Sequence, residues 1–581
     1  MTRHARVIKK GAMRYKNFCL LSAVLLNAVV DLAAAQVVLP QLRRPGEQPL
    51  PLPEYQAPPP PLTAPPPAPS VEIAPSTGDR IPVQRFEIRG NTAFSNAELA
   101  KISAPYENRS LSAEELQEVR QQLTLYYIQR GYLNSGAIIP EQDLRTGVVQ
   151  IEIVEGRLIG IEVEGHAGLR HEVIEARLAP LLSEPLQLQR VQEFMQLLQQ
   201  NPLIQQLQVE IVPALRPGEA VLRVVVREET PYQVVLNLAN DSPPSVGGNQ
   251  AQLYLTHRNL TGWGDALGIR AALTEGANDG TIVYQRPLNA KGTTRLSLTA
   301  DRTHSEVIEA PFDALDVESD LDSYALGLTQ VLYETPRRAI SMGLSLERRH
   351  NETFLLGIPF SFSPGAHDGK STVAVARMFQ QWLERDVNQV MAARSTFSFG
   401  FDNWGSTVNS DAPDSRFLAW LGQFQWAQRF DERGNQLLFR TDMQFSNDGL
   451  LPMEKFAVGG AETVRGYRQN LLVRDNAIVA SLESRFPLFR AGLPGVSETG
   501  EPGQVQLALF ADYGRAWNKS EITLDPKDIY SMGLGFRWDP TPWLHAQIYY
   551  GKALREVETA EDDWQDRGIT FQVQLAYPFL P

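Results

Sequence analysis

The chain has 581 residues and a formal net charge of −13, with 42 glycines, 40 prolines and a single cysteine. At about 150 residues per domain this length suggests roughly four domains, unless one unit is a large β structure. No run of about 18 apolar residues free of charge follows the N-terminal segment, which excludes helical membrane spans beyond it, and the acidic balance argues against a nucleic-acid binder.

Arg3, Arg6, Lys9, Lys10, Arg14 and Lys16 precede an apolar run from Phe18 to Val30, and Ala33-Ala34-Ala35 stands before Gln36. This pattern predicts a secretory signal peptide over residues 1–35. Its removal takes away six bases and one acid, leaving a net charge of −18, and it takes Cys19, the only cysteine. A cysteine-free exported chain has no disulfide or thiolate chemistry and suits the periplasm and outer membrane of a Gram-negative cell. Residues 36–78, with Pro58 to Pro61 and Pro65 to Pro67, then read as a polyproline-like linker that cannot pack a core.

Residues 81–155 and 157–229 follow one plan twice. In the first copy, Phe86 to Arg89 reads as a strand, Ser95 caps a short helix over Ala97 to Ile102, and Ser112 with Glu115 forms a capping box. Leu116, Val119, Leu123 and Tyr127 then recur at helical spacing until Gly131, and Val149, Ile151 and Ile153 alternate as a half-buried strand. The second copy has a strand through Ile159, Ile161 and Val163, helices over about His171–Leu182 and Leu188–Gln200, and strands over Leu207–Val212 and Val221–Val226. Each copy predicts a small sheet with two helices on one face.

From Tyr232 onward helical periodicity disappears. Segments of about ten residues alternate, as in Leu418, Trp420, Phe424 and Trp426 against Gln423, Gln425 and Arg429. The last such strand runs from Ile569 to Phe579, with Gln572 and Gln574 between apolar residues. Apolar faces rich in Leu and aromatics, opposite faces of Gln, Ser, Arg and Asp, and a final aromatic strand that can close the sheet favour an outer-membrane barrel over a soluble sandwich. The count is about sixteen strands, enough to leave an aqueous channel.

A loop of some 25 residues, Leu450 to Asp475, separates the eleventh and twelfth strands and contains Val464-Arg465-Gly466-Tyr467. On the thirteenth strand, alternation sends Phe510, Asp512 and Gly514 to the lumen, where a carboxylate must be hydrated or paired. Arg465 can hold Asp512 bidentately and pin the loop inside the pore. Three other readings compete: a solvated loop charge, an external ligand for lipopolysaccharide phosphate, or a pair with Glu483, inward-facing on the twelfth strand beside Arg485.

The Val464–Tyr467 motif in a long loop, followed by Phe510-x-Asp512-x-Gly514, resembles the polypeptide-transporting barrels with periplasmic POTRA domains. Two repeats after a Pro-rich segment resemble, within that superfamily, the two-partner secretion transporters of the ShlB/FhaC/HecB haemolysin secretion/activation type. The resemblance spans nearly all of residues 81–581. It implies a mainly β protein: a 16-stranded outer-membrane barrel (231–581) preceded by two α+β POTRA domains (81–155 and 157–229). It further implies a channel that moves a large exoprotein (a haemolysin, adhesin or toxin), with the POTRA domains capturing unfolded substrate and the Arg465 loop folded onto Asp512. Many such transporters carry an N-terminal plug helix; residues 36–70 are too rich in proline for one, and Pro581 stands where an aromatic terminus is usual, with Phe579 as its substitute.

Other chemistry is not indicated. Gly365 to Ser371 nearly spells a phosphate-binding loop, but the spacing is one short and a strand follows where a helix is required. The eight histidines lack metal-ligand spacing, there is no Gly-x-Ser-x-Gly, and neither cofactor nor metal is expected. His257, His304 and His545 are candidates for lipase chemistry by residue type only. The competing functions are a barrel-assembly insertase, which would bring more repeats, and a solute porin, which has no use for them. The expected surroundings are outer-membrane lipid and lipopolysaccharide, with a monomeric barrel and no nucleic acid.

Overall fold

The computed structural model describes residues 44, 45, 47, 50–52, 80–165, 167–493, 503–559 and 563–577. The expected signal peptide over residues 1–35, most of the Pro-rich segment, Phe579 and Pro581 lie outside the described residues.

The first repeat contains β1 (Ile81–Val83), β2 (Arg85–Arg89), α1 (Asn96–Ser103), β3 (Arg109–Leu111), α2 (Ala113–Gln129), β4 (Gly136–Ile138) and β5 (Val148–Val154). Capping boxes at Ser95/Glu98 and Ser112/Glu115 start both helices. The sheet order is β2-β5-β4, parallel between β2 and β5 and antiparallel between β4 and β5. Leu116, Val119, Leu123 and Tyr127 of α2 are buried against Val149, Ile151 and Ile153 of β5. The second repeat contains β6 (Arg157–Glu164), α3 (His171–Leu178), α4 (Leu188–Gln199), β7 (Ile204–Pro213) and β8 (Glu219–Glu228), with sheet order β6-β8-β7. The helix expected to run to Leu182 ends at Leu178 because Pro180 opens a separate 3-10 turn over Ala179–Leu182.

Both repeats close with the same device. Glu155, just after β5, accepts hydrogen bonds from the backbone N–H of Thr92 (2.7 Å) and Ala93 (2.8 Å) and from the Tyr127 hydroxyl (2.9 Å). Glu228, ending β8, accepts from the N–H groups of Ala167, Gly168 and Leu169 at 2.9–3.0 Å. Burial works against the Glu155 carboxylate, yet the donors from Ala93, Thr92 and Tyr127 outweigh it and hold the carboxyl below its usual range. Because its folded value is depressed, the stability it contributes is present at neutral pH and is lost as pH falls through the folded value. Glu155→Ala should destabilise the first repeat by about 2–3 kcal/mol through its orphaned donors. Faster proteolysis of residues 80–155 at neutral pH, with the difference from wild type shrinking in acid, is the expected result.

The remainder is a closed barrel. Its strands are β9 (Tyr232–Ala239), β10 (Gln250–His257), β11 (Ala266–Leu273), β12 (Ala277–Pro287), β13 (Thr294–Glu306), β14 (Val317–Glu334), β15 (Arg338–Leu355), β17 (Lys370–Arg385), β18 (Gln389–Phe401), β19 (Leu418–Arg429) and β20 (Gln436–Ser446). After the long loop come β23 (Asn476–Arg490), β24 (Gln504–Trp517), β25 (Asp528–Thr541), β26 (Leu544–Ala553) and β27 (Ile569–Tyr577). These are sixteen spanning strands; β16 (Ile358–Pro359) is a two-residue addition to β15. Every neighbour is antiparallel, and β27 pairs with β9 from Gln572↔Ala239 to Tyr577↔Val234, so the sheet has no open edge. No helix among the described residues is long and apolar enough to cross a membrane. The outward row of β24, including Leu509 and Tyr513, is exposed, whereas Gln506, Phe510 and Asp512 are buried inside.

The repeats lie at the short-turn end of the barrel. The Arg170 N–H donates to Gly262 O (2.9 Å), Arg177 Nε to Lys291 O (3.2 Å) and Gln200 Nε2 to Pro336 O (3.1 Å), while Trp263 packs against the core of the second repeat. Three successive turns therefore seat that repeat.

Candidate functional site

The long loop does not project away from the barrel. It forms a small hairpin, β21 (Phe456–Val458) with β22 (Leu472–Arg474), and packs on the inner wall. Phe456, Val458, Val464, Tyr467 and Leu472 share one buried cluster with Ala477 and Val479 of β23, Ala516 of β24 and Ile529 of β25. An apolar loop face can be buried in a wet lumen only against an apolar patch of wall, and these wall residues supply it.

Arg465 is the centre of the site. Its Nε donates to Asp512 Oδ2 (2.8 Å), its Nη2 to Asp512 Oδ1 (2.9 Å), and its backbone N–H to Asp512 Oδ2 (3.0 Å). Nη1 donates to Glu483, and Nη2 also reaches Ser481 Oγ (3.1 Å). Asp512 and Glu483 are therefore joint partners, not the alternatives the sequence suggested. The reason is register: β23 pairs Ser481 with Asp512 and Glu483 with Phe510, which sets both carboxylates on one luminal face. The guanidinium lies 3.7 Å from the centre of the Phe510 ring and 5.1 Å from that of Tyr549, whose hydroxyl donates to Glu483 (3.2 Å). Arg465, Glu483 and Asp512 are all below 10% exposed. The solvated-charge and external-phosphate readings of Arg465 are thereby corrected: its donors are already committed inside the barrel.

The other motif residues fit this contact. Gly466 has φ +89°, and a Cβ there would stand 2.7 Å from Gly551 O, so the loop backbone lies directly on β26. The Tyr467 hydroxyl donates toward the carbonyls of Tyr530 (3.0 Å) and Arg555 (2.9 Å). Gly514 leaves space for Val458 and Val464; a Cβ would meet their methyls at 2.5 and 2.8 Å. Gly514→Ala is expected to lift the loop from the wall at a cost of about 1–3 kcal/mol. Increased protease cleavage between Leu450 and Asp475, with heat-resistant barrel mobility retained in gels, would report it.

Three contacts were missed from the sequence. Glu454 accepts from Arg377 Nη2 (2.9 Å) and Arg349 Nη1 (3.3 Å), anchoring the start of the loop to β17 and β15. Arg468 donates to Glu309 (3.0 Å) and bidentately to Asp566 (2.9 and 2.7 Å), reaching two other loops. Pro45 O accepts from the Ala457 N–H (3.0 Å), and Glu47 accepts from Asn470 (2.8 Å), so part of the Pro-rich segment lies against the loop. Leu50 there is buried, Leu52 lines a cavity of about 330 Å³ with Arg465 and Glu483, and the described residues of this segment carry no helix.

Elsewhere, His304 and His545 face Asp320 and Asp539 at 2.8 Å, and His257 accepts from the Asn259 N–H (3.2 Å). No group of three or more His, Cys, Asp or Glu side chains placed to hold a metal occurs among the described residues.

Comparison with known proteins agrees with this architecture. Residues 218–538, more than half of the chain, match the family described as haemolysin secretion/activation protein ShlB/FhaC/HecB, and residues 81–156 match the ShlB-type POTRA domain. The outer membrane transporter CdiB of Escherichia coli O6:K15:H31 is 26% identical over 489 residues, covering 80% of this chain and 77% of its own. The heme/hemopexin transporter protein HuxB of Haemophilus influenzae is 22% identical, covering 75% and 76%. The solved structure of CdiB from Escherichia coli superposes with a TM-score of 0.64 at 22% identity, covering 89% of this chain and 94% of that one. CdiB from Acinetobacter baumannii gives 0.57 at 15% identity, covering 99% and 98%. With its sixteen-stranded barrel, periplasmic repeats and luminal loop, the chain belongs to the haemolysin secretion/activation family ShlB/FhaC/HecB, the outer-membrane transporters of two-partner secretion.

Proposed function

We propose that the two periplasmic repeats capture one large unfolded exoprotein and that the barrel conducts it outward when the Arg465 loop shifts from the inner wall. The observation that carries this reading is the buried pairing of Arg465 with Asp512 and Glu483. A loop fastened inside a channel by polar contacts can be released without unfolding the barrel. In this reading Val464, Arg465, Gly466 and Tyr467 form the loop's docking face, Phe510, Asp512 and Gly514 its seat, and Glu483 the second counter-charge.

The working division is a signal peptide over 1–35, a Pro-rich linker over 36–78, POTRA domains over 81–155 and 157–229, and a barrel over 231–581 whose long loop is 450–475. The contacts of Pro45 and Glu47 with the loop support a luminal position for this part of the Pro-rich segment. The chain works as a transporter without enzymatic turnover, as a monomer in lipid and lipopolysaccharide. Folding of the exoprotein outside the cell draws the chain through. The edge strand β7, paired only with β8, is the candidate for strand addition by the substrate.

The test compares proteins released by cells with and without this chain. Loss of one very large protein, with other outer-membrane proteins unchanged, is expected. Broad loss of barrels would favour an insertase, and no change would favour a porin.

A further inference from the structure

Between β26 and β27 the chain turns through Asp563–Gly568 before the last strand begins. Gln565 in this turn is 1% exposed. A buried primary amide has to satisfy a carbonyl oxygen and two N–H groups, and Gln565 divides them between two parts of the molecule. Its Oε1 accepts from the backbone N–H of Gln469 (2.7 Å), in the long loop four residues after Arg465. Its Nε2 donates to Asn240 O (2.9 Å) and Ser242 O (2.7 Å), just beyond the end of the first barrel strand.

Asn240 is itself 1% exposed and belongs to the closure of the barrel. Its Nδ2 donates to Ile569 O (2.9 Å) and its Oδ1 accepts from the Phe571 N–H (2.6 Å). The Asn240 N–H donates to Phe571 O (3.2 Å). These bonds extend the β9–β27 ladder past its last register pair, Ala239↔Gln572. The same turn is held from the loop side by Arg468, bidentate on Asp566. Loop, turn and first strand thus meet at one buried side chain, and none of the three can shift without leaving an unsatisfied group.

We propose that Gln565 is a positioning residue that couples the docked Arg465 loop to the upper end of the β9–β27 closure, so that withdrawal of the loop loosens that end of the barrel. The inference rests on the reading that the loop moves during export, but its test needs no export. Gln565→Glu separates its two halves: a carboxylate still accepts from Gln469 but repels the carbonyls of Asn240 and Ser242.

Backbone hydrogen exchange is measured on the full chain in lipid nanodiscs for wild type, Arg465→Ala, a variant lacking residues 460–469, Gln565→Glu, and Gln565→Glu combined with that deletion. Amides of Asn240 and Phe571 report the closure, and those of Val464 to Tyr467 report the loop where it is present. Each single change should speed exchange at Asn240 and Phe571 by roughly fivefold to tenfold, the effect of one buried hydrogen bond. In the combined variant the increase should equal that of a single change, because the coupling is already broken. Wild-type exchange at Asn240 and Phe571 in the deletion variant would overturn the proposal. So would full additivity in the combined variant. Loss of export with closure exchange unchanged would leave the transport reading standing while removing this one.

Discussion

Arg465→Ala is expected to lower export of the partner exoprotein roughly tenfold or more while the barrel still assembles, because passage needs a loop that leaves the wall and returns to it, and without the guanidinium it cannot redock. Removing the guanidinium strips the buried Asp512 of its bidentate cation and leaves it the Ser481 hydroxyl (2.6 Å), while Glu483 keeps Arg485 (2.6 Å) and the Tyr549 hydroxyl (3.2 Å). Breaking a buried pair in this way costs about 3–5 kcal/mol, enough to shift the docked population of the loop roughly 150- to 5,000-fold. The loss falls on loop docking because none of the sixteen strands is paired through Arg465. Arg465→Lys keeps the charge but loses the fork that reaches Asp512, Glu483 and Ser481 together, so it should be intermediate. Three measurements separate the outcomes: released exoprotein, heat-modifiable barrel in isolated membranes, and single-channel conductance, which should rise as the loop undocks. Wild-type secretion by Arg465→Ala would refute the role given to this pair.

The legible and illegible parts of this site differ in a physical way. Asp512 was placed in the lumen by period-two alternation, since Leu509 and Tyr513 on the outward row fix the direction of Phe510 and Asp512. The strand count and the loop's place between the eleventh and twelfth strands followed from the same period. What alternation does not supply is register between strands. Without knowing that β23 pairs Ser481 with Asp512, Glu483 and Asp512 looked like rivals when they are neighbours. Glu454, Arg468 and Gln565 were invisible for a stronger reason. They lie in loops, where no period marks direction, and their partners stand 77 to 325 residues away. The contact of Pro45 with Ala457 was invisible for the same reason, because it depends on the folded loop.

Glu454→Ala should free the start of the loop as Arg465→Ala frees its middle, at a smaller cost. Glu454 is 2% exposed and accepts from Arg377 twice at 2.9 Å and from Arg349 at 3.3 Å. Arg377 retains Glu347 (2.9 Å) and Ser398 (2.7 Å), and Arg349 retains the Met453 carbonyl (2.8 Å), so neither guanidinium is wholly abandoned. The cost should therefore sit near the lower end of about 3–5 kcal/mol. The expected signature is faster hydrogen exchange over Leu450 to Val458 with little change at Val464 to Tyr467, the reverse of the pattern for Arg465→Ala. The two sites are separate networks, so their effects on exchange should add. Their effects on export should not: once either end is loose, the loop no longer presents one surface to the passing chain, and freeing the other end has less left to disturb. Strict additivity in export would mean that the two anchors act on different steps, with Glu454 shaping the resting barrel and Arg465 alone governing passage.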